Sequence, residues 1–178
     1  MKILKTRTDI LEHLPKNIKI AELGVFKGDF SKEILKIVQP EKLYMVDLFE
    51  GLMGSGDKDG NNMHFVDLGK TLIELTNLYK ENENVSIIKD FSFNFLNSLS
   101  DNYLDAVYID ADHSYEAVKK DLEISLLKVK NGGAIIGHDY NHNKFPGVVK
   151  AVNEFCKKYD KQISFLTEDG CPSFLILK

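Results

Sequence analysis

The stretch Leu104–Tyr115, LDAVYIDADHSY, decides how this chain is read. Its first half is an apolar run broken only by Asp105, the pattern of a parallel strand buried on both faces. Its second half delivers Asp110, Asp112, His113 and Ser114 before a helical pattern begins. In an open α/β sheet, ligands bind in the crevice at the carboxyl ends of the strands. A strand that ends in acids and a histidine therefore marks a chemical site.

Downstream, Ser114 is placed to cap a helix whose buried stripe is Val118, Leu122, Leu126 and Val129. Asn131, Gly132 and Gly133 should end that helix as a left-handed cap. A strand over Ala134–Gly137 then hands over His138 and Asp139. A helix over Val148–Tyr159 precedes two strands, Gln162–Thr167 and Ser173–Leu177. The turn EDGCP between them is too short for a parallel crossover, so this pair is antiparallel. Upstream, strands Ile18–Leu23, Leu43–Leu48 and Val85–Lys89 alternate with helices over Ser31–Val38, about Leu68–Glu81 and Asn94–Leu99. Residues 1–16 hold a leading helix over Thr8–Leu14, with Thr8 or Asp9 as its cap and Pro15 as its stop. Residues 51–69, rich in Gly, Asp and Asn, make a connection long enough to cover a site. Five alternations of strand and helix closed by a hairpin predict a three-layer α/β sheet, and the 178 residues are expected to form one domain.

Composition narrows the partners. The chain is 43% hydrophobic and 28% charged, with a net charge of -4 and lysines scattered along it. Phosphate backbones and anionic membranes need a concentrated basic field, so neither nucleic acid nor membrane is the expected partner. No stretch has the length of a membrane span, and the first sixteen residues lack the apolar core of a signal peptide. Cys156 and Cys171 have no CxxC spacing and read as free thiols of a reducing, cytoplasmic setting. Asp57–Asn62, DKDGNN, lacks the glycine and glutamate of a calcium-binding loop and reads as a turn.

The segment Glu22–Ser31, ELGVFKGDFS, puts an acid at a strand end and glycines four apart at Gly24 and Gly28. Such glycines let a ligand approach the main chain closely. Their spacing is not the dinucleotide GxGxxG. Asp47 ends the second strand 19 residues after Gly28, where a carboxylate can accept from both hydroxyls of a ribose. Asp90 ends the third strand, with Ser92 close behind.

At these residues the chain resembles the class I S-adenosylmethionine-dependent methyltransferases, and in particular the catechol O-methyltransferase type, in which a serine follows the second glycine as Ser31 does. The resemblance runs from Ile18 to Leu177. It implies a Rossmann-like sheet of seven strands in the order 3-2-1-4-5-7-6, with the last strand antiparallel. It also implies that Asp47 holds the ribose, Gly24 and Gly28 the methionine portion, and Ser92 with Asp90 the adenine edge, with Glu22, Ser31 and Asp110 in the same cofactor site. Metal-dependent small-molecule O-methyltransferases carry Asp-x-x-Lys or Asp-x-x-His after the fourth strand and a second aspartate after the fifth. By that similarity Asp110 and Asp139 are ligands of Mg²⁺ or Mn²⁺, and His113 is the general base. The usual third oxygen beside the second aspartate is replaced by His138 before it and Tyr140 after it. A nitrogen ligand there shifts preference toward Mn²⁺, Fe²⁺ or Zn²⁺. Alternatively Asp112 supplies an oxygen, or no metal binds.

The reaction so implied is methyl transfer to a hydroxyl of a small molecule such as a sugar or a phenol. Met53, Met63, His64 and Phe65 of the covering loop would select it, and the edge hairpin and leading helix offer contacts for a homodimer. His142 reads as a loop residue, and His13 and His64 as surface or lid. Three rivals stand beside this reading. The pair Tyr115 and Lys119 matches the Y-x-x-x-K of nicotinamide-dependent dehydrogenases, although no dinucleotide glycines accompany it. A non-catalytic binding protein could keep the fold. Antibiotic-tailoring hydroxylases resemble the chain too, with the same fold and a similar acid-rich pair of loops.

Overall fold

A computed structural model describes residues 1–55 and 64–178 of the chain. The DKDGNN turn and Met63 fall outside the described residues. In chain order the elements are β1 (Lys2–Leu4), α1 (Arg7–Leu11), β2 (Lys19–Leu23), α2 (Asp29–Val38), β3 (Lys42–Asp47), β4 (Leu52–Ser55), β5 (His64–Asp67) and α3 (Leu68–Tyr79). They continue as β6 (Val85–Lys89), α4 (Ser92–Ser98), β7 (Leu104–Ile109), α5 (Tyr115–Lys128), β8 (Val129–Gly137), α6 (Pro146–Tyr159), β9 (Ile163–Thr167) and β10 (Phe174–Leu177).

Eight strands form the main sheet, in the order β1-β9-β10-β8-β7-β2-β3-β6. The seven expected strands appear in the expected order, and β10 runs antiparallel to both β8 and β9. The eighth is a correction. Lys2–Leu4 pairs in parallel with Phe165–Thr167 at the sheet edge, and its burial pattern of exposed, exposed, buried gave no strand signal.

Alternate residues of the central strands feed two cores. Ile20, Met45, Tyr108 and Ile136 pack against α1, α2 and α3 through Ile10, Ile34 and Leu75. Ala21, Val46, Val107 and Ile135 pack against α4, α5 and α6 through Phe95, Leu122 and Val152. This is the period-two alternation of a strand buried on both faces, as the reading of Leu104–Ile109 required.

Several boundaries move for identifiable reasons. α1 begins before Thr8, because Thr6 is its cap: the Asp9 carboxylate accepts from the Thr6 and Lys5 backbone amides in a capping box. α5 stops at Lys128, and β8 begins at Val129, which pairs with Leu104. Asn131–Gly133 therefore lie inside a strand, beside its register shift, and do not cap the helix. Leu126 is only half-buried, and Ser125 and Asp121 take the inner face with Val118 and Leu122. The covering segment holds a two-stranded hairpin, β4 with β5, in the register Leu52↔Asp67 and Met53↔Val66. Both cysteines are free, and no helix among the described residues is long and apolar enough to cross a membrane.

Candidate active site

A cleft of about 580 Å³ opens over the carboxyl ends of β2, β3, β6, β7 and β8. It sits where β2 is flanked by β3 on one side and β7 on the other, the point at which strand order reverses. Its volume lies in the range of small-molecule sites.

On the β2 side, Glu22 is buried and accepts a hydrogen bond from Ser31 Oγ. Burial pushes its carboxyl up to about 8, against the lowering effect of the Ser31 bond. Glu22 lines the cleft. Ser31 is wholly buried behind it and holds Glu22 without facing the cleft. Gly24, at φ +90°, is where a glycine is obligatory, because a Cβ there would run into the Asp110 carbonyl. The loops after β2 and β7 therefore touch at this residue. Gly28 serves packing: a Cβ would press on Leu75 and approach Met45. Asp47 Oδ2 accepts from the Val25 and Phe26 amides at 2.8 and 3.0 Å, and Oδ1 accepts from the Phe49 amide at 2.9 Å. It thus fixes the glycine loop and also lines the cleft.

Further along, Asp90 Oδ1 accepts from the Phe91 amide and from Asn94 Nδ2 just ahead of α4. Ser92 Oγ donates to Asp121 Oδ1 at 2.8 Å. Asp121 is buried on α5, and its carboxyl is pushed up to about 6 by that burial, partly offset by the Ser92 bond.

The reacting end gathers residues from two loops. His113 Nε2 lies 2.8 Å from Asp139 Oδ2 and 3.6 Å from Asp110 Oδ1. His138 Nδ1 lies 3.3 Å from Asp139 Oδ1 and 3.4 Å from Asp110 Oδ1. Asp139 is buried and held at φ +60°, a left-handed backbone an aspartate tolerates better than most residues. The neighbouring Asp110 and Asp139 carboxylates raise His113 to about 10, against the lowering effect of burial. Burial lowers His138, but the same two carboxylates outweigh it and leave it at about 9. Burial raises Asp139, yet the two imidazoles overcome that and hold its carboxyl well below the usual range. The Asp110 and Asp139 carboxylates thus favour the protonated form of both rings.

Among the described residues, Asp110, His113 and Asp139 are the group whose ligand atoms converge, all within 4.8 Å of one another. His113 Nε2 is buried and, despite its short distances, makes no aligned hydrogen bond. An imidazole nitrogen set between two carboxylates is a donor set that fits a divalent cation. This differs from the set read from sequence, where His138 was the nitrogen ligand and His113 the base. Asp112 lines the cleft while its Oδ1 accepts from the Ser114 amide, so it shapes the entry to α5.

Arg7, from α1, is a cleft residue that sequence reasoning missed. Its NH1 is 3.5 Å from Asp110 Oδ2, and its guanidinium lies 4.4 Å over the Phe30 ring. Nothing local in KTRTD marks it, because its position depends on α1 docking. His142 is exposed and outside the cleft. Tyr115 and Lys119 are outside it too: the Tyr115 hydroxyl donates to Glu154 at 2.6 Å, and Lys119 rests over the Tyr115 ring. The dehydrogenase reading therefore loses its residues.

Comparison with known proteins agrees with this geometry. In sequence, no curated protein matches the chain significantly. The fold is shared with a Clostridium thermocellum protein assigned as an rRNA methylase, at TM-score 0.69 and 18% identity, covering 100% of this chain and 98% of that one. It is shared with the Streptococcus mutans protein SMU.1697c, assigned as a methyltransferase and solved with S-adenosylhomocysteine, at 0.66 and 17%, covering 96% and 94%. A Streptococcus thermophilus rRNA methylase matches at 0.62 and 16%, covering 96% and 93%. Residues 21–140, from β2 through the Asp139 loop, match the family model described as a methyltransferase domain. The chain belongs to that family of methyltransferase domains.

Proposed function

We propose that the chain transfers the methyl group of S-adenosylmethionine to a hydroxyl of a small molecule, a sugar or a phenol, with a divalent cation held at the reacting end. The observation that carries this reading is the convergence of Asp110, His113 and Asp139, whose ligand atoms all lie within 4.8 Å of one another. A divalent ion in such a set lowers the cost of ionising a hydroxyl by stabilising the oxyanion. The mixed donor set favours Mn²⁺, Fe²⁺ or Zn²⁺ over Mg²⁺, which prefers oxygen alone.

The chain's own residues divide the remaining work. Asp110 and Asp139 supply charge, and His113 the nitrogen donor. With a cation held by the two carboxylates, which would remove the charge that favours its protonated form, His138 would be the imidazole left to accept the hydroxyl proton. Asp47 orders the loop on which the methionine portion rests and faces the ribose. Asp90, Phe91 and Ser92 form the wall expected to take the adenine. With the methyl donor already reactive, holding oxygen, carbon and sulfur in line is the main remaining contribution.

RNA is the competing substrate class, since rRNA methylases share the fold. The net charge of -4 favours a small acceptor. Titration of Mn²⁺ into wild type, His113→Ala and His138→Ala, followed by methyl-transfer assays on a panel of phenols and sugars, tests the assignment. His113→Ala should lose cation binding, whereas His138→Ala should retain it and lose about a hundredfold or more in turnover. Cation binding that survives His113→Ala removes the donor assignment. Methylation of ribosomal RNA with no small acceptor turned over removes the substrate class.

A further inference from the structure

The cleft is strongly one-sided in charge. Among the described residues, its lining holds eight acidic side chains against one arginine, one lysine and two histidines. Both imidazoles are engaged with Asp110 and Asp139, and the Lys27 ammonium lies over the Phe26 ring. S-adenosylmethionine carries two positive groups, a sulfonium and an ammonium, that such a cleft welcomes. It also carries a carboxylate that the same cleft repels. A site built this way needs one fixed cation at the methionine end.

We infer that Arg7 is that cation and binds the carboxylate of the methionine portion. This rests on the reading in which Gly24 and its loop receive that portion. Arg7 stands at the right place, between Phe30 in the first turn of α2 and Asp110, the residue whose backbone meets Gly24. It is also held for the task. The Phe30 ring lies 4.4 Å from the guanidinium carbon, and Asp110 holds one NH group at 3.5 Å, an ion-pair contact longer than a typical hydrogen bond. A planar guanidinium can take a carboxylate through two parallel N–H bonds, a geometry lysine cannot reproduce. The backbone beneath it is pinned as well, since the Arg7 amide donates to Asp169 Oδ2 and the Thr6–Asp9 capping box sets the first turn of α1. The leading segment, outside the residues that match the family model, thus completes the cofactor site.

The test compares two ligands on three proteins: S-adenosylmethionine and its decarboxylated analogue, which keeps the sulfonium, amine and nucleoside, titrated by calorimetry into wild type, Arg7→Lys and Arg7→Met. Wild type should bind S-adenosylmethionine more tightly than the analogue. Arg7→Met should weaken S-adenosylmethionine about ten- to a hundredfold and leave the analogue within about twofold, with Arg7→Lys between. Thermal unfolding of each variant confirms the fold, and the wild-type ligand comparison stands even if a variant fails to fold. Equal affinity of wild type for both ligands, or equal weakening of both by Arg7→Met, overturns the assignment of Arg7 alone. Wild type binding neither ligand overturns the cofactor reading, and this inference with it.

Discussion

Asp121 shows how one buried side chain can report on the whole molecule. Its carboxyl titrates near 6 when folded, against 3.8 when exposed, because burial disfavours the charged form. Below about pH 3.8 both states are protonated and the residue costs nothing. Between 3.8 and 6 the folded chain keeps a proton that the unfolded chain releases, so stability falls as pH rises through that window. Above it the loss levels off at about 3 kcal/mol. Asp121→Asn keeps an acceptor for Ser92 Oγ and removes the titration. Urea unfolding at several pH values should show the variant gaining about 3 kcal/mol over wild type above pH 6 and nothing below pH 4. A gain that does not change with pH would show that packing, and not ionisation, sets the difference. At this scale the sequence was legible where chemistry is local, as in Glu22, Gly24, Asp47 and the Asp110–His113 pair. It was silent on Arg7 and Asp121, whose roles arise only when distant segments meet.

At the scale of elements, α5 separates pattern from packing. The stripe of Val118 and Leu122 was visible from spacing, but the helix end was not, since Val129–Gly133 joins β8 through tertiary pairing that overrides the Asn-Gly-Gly signal. Leu122 is wholly buried and Leu127 is 54% exposed. Leu122→Ala should therefore cost about 2–5 kcal/mol, by lost transfer energy and a residual cavity. Leu127→Ala should stay within about 0.5 kcal/mol. Chemical denaturation of the two variants checks the register of the helix, and comparable losses would place Leu127 in a core. The β4–β5 hairpin was read only as a covering loop, because strand periodicity cannot be heard in four-residue strands separated by Gly, Asp and Asn. Its pairing puts Met53 on the cleft wall while leaving Leu52 and Phe65 exposed.

For the molecule as a whole, the three-layer sheet and its strand order were readable because five strand–helix alternations leave few arrangements. The edge was not, since three residues carry no period. Deleting residues 1–4 should release α1 while sparing the centre of the sheet. Hydrogen exchange is expected to accelerate in α1 and β9 and to stay slow in β2 and β7. Unchanged protection of α1 would show that its contacts with α2 suffice. The same short strand also governs how copies of the chain could meet. With β1 seated on β9, the terminal hairpin no longer offers a bare strand to a neighbour. Among the described residues, an extension of the main sheet by another copy would have to grow from the three residues of β1 or from β6 at the opposite margin. The smallest strand in the fold thus acts as a stopper, leaving a concentrated solution of this protein little template on that side from which to build fibres.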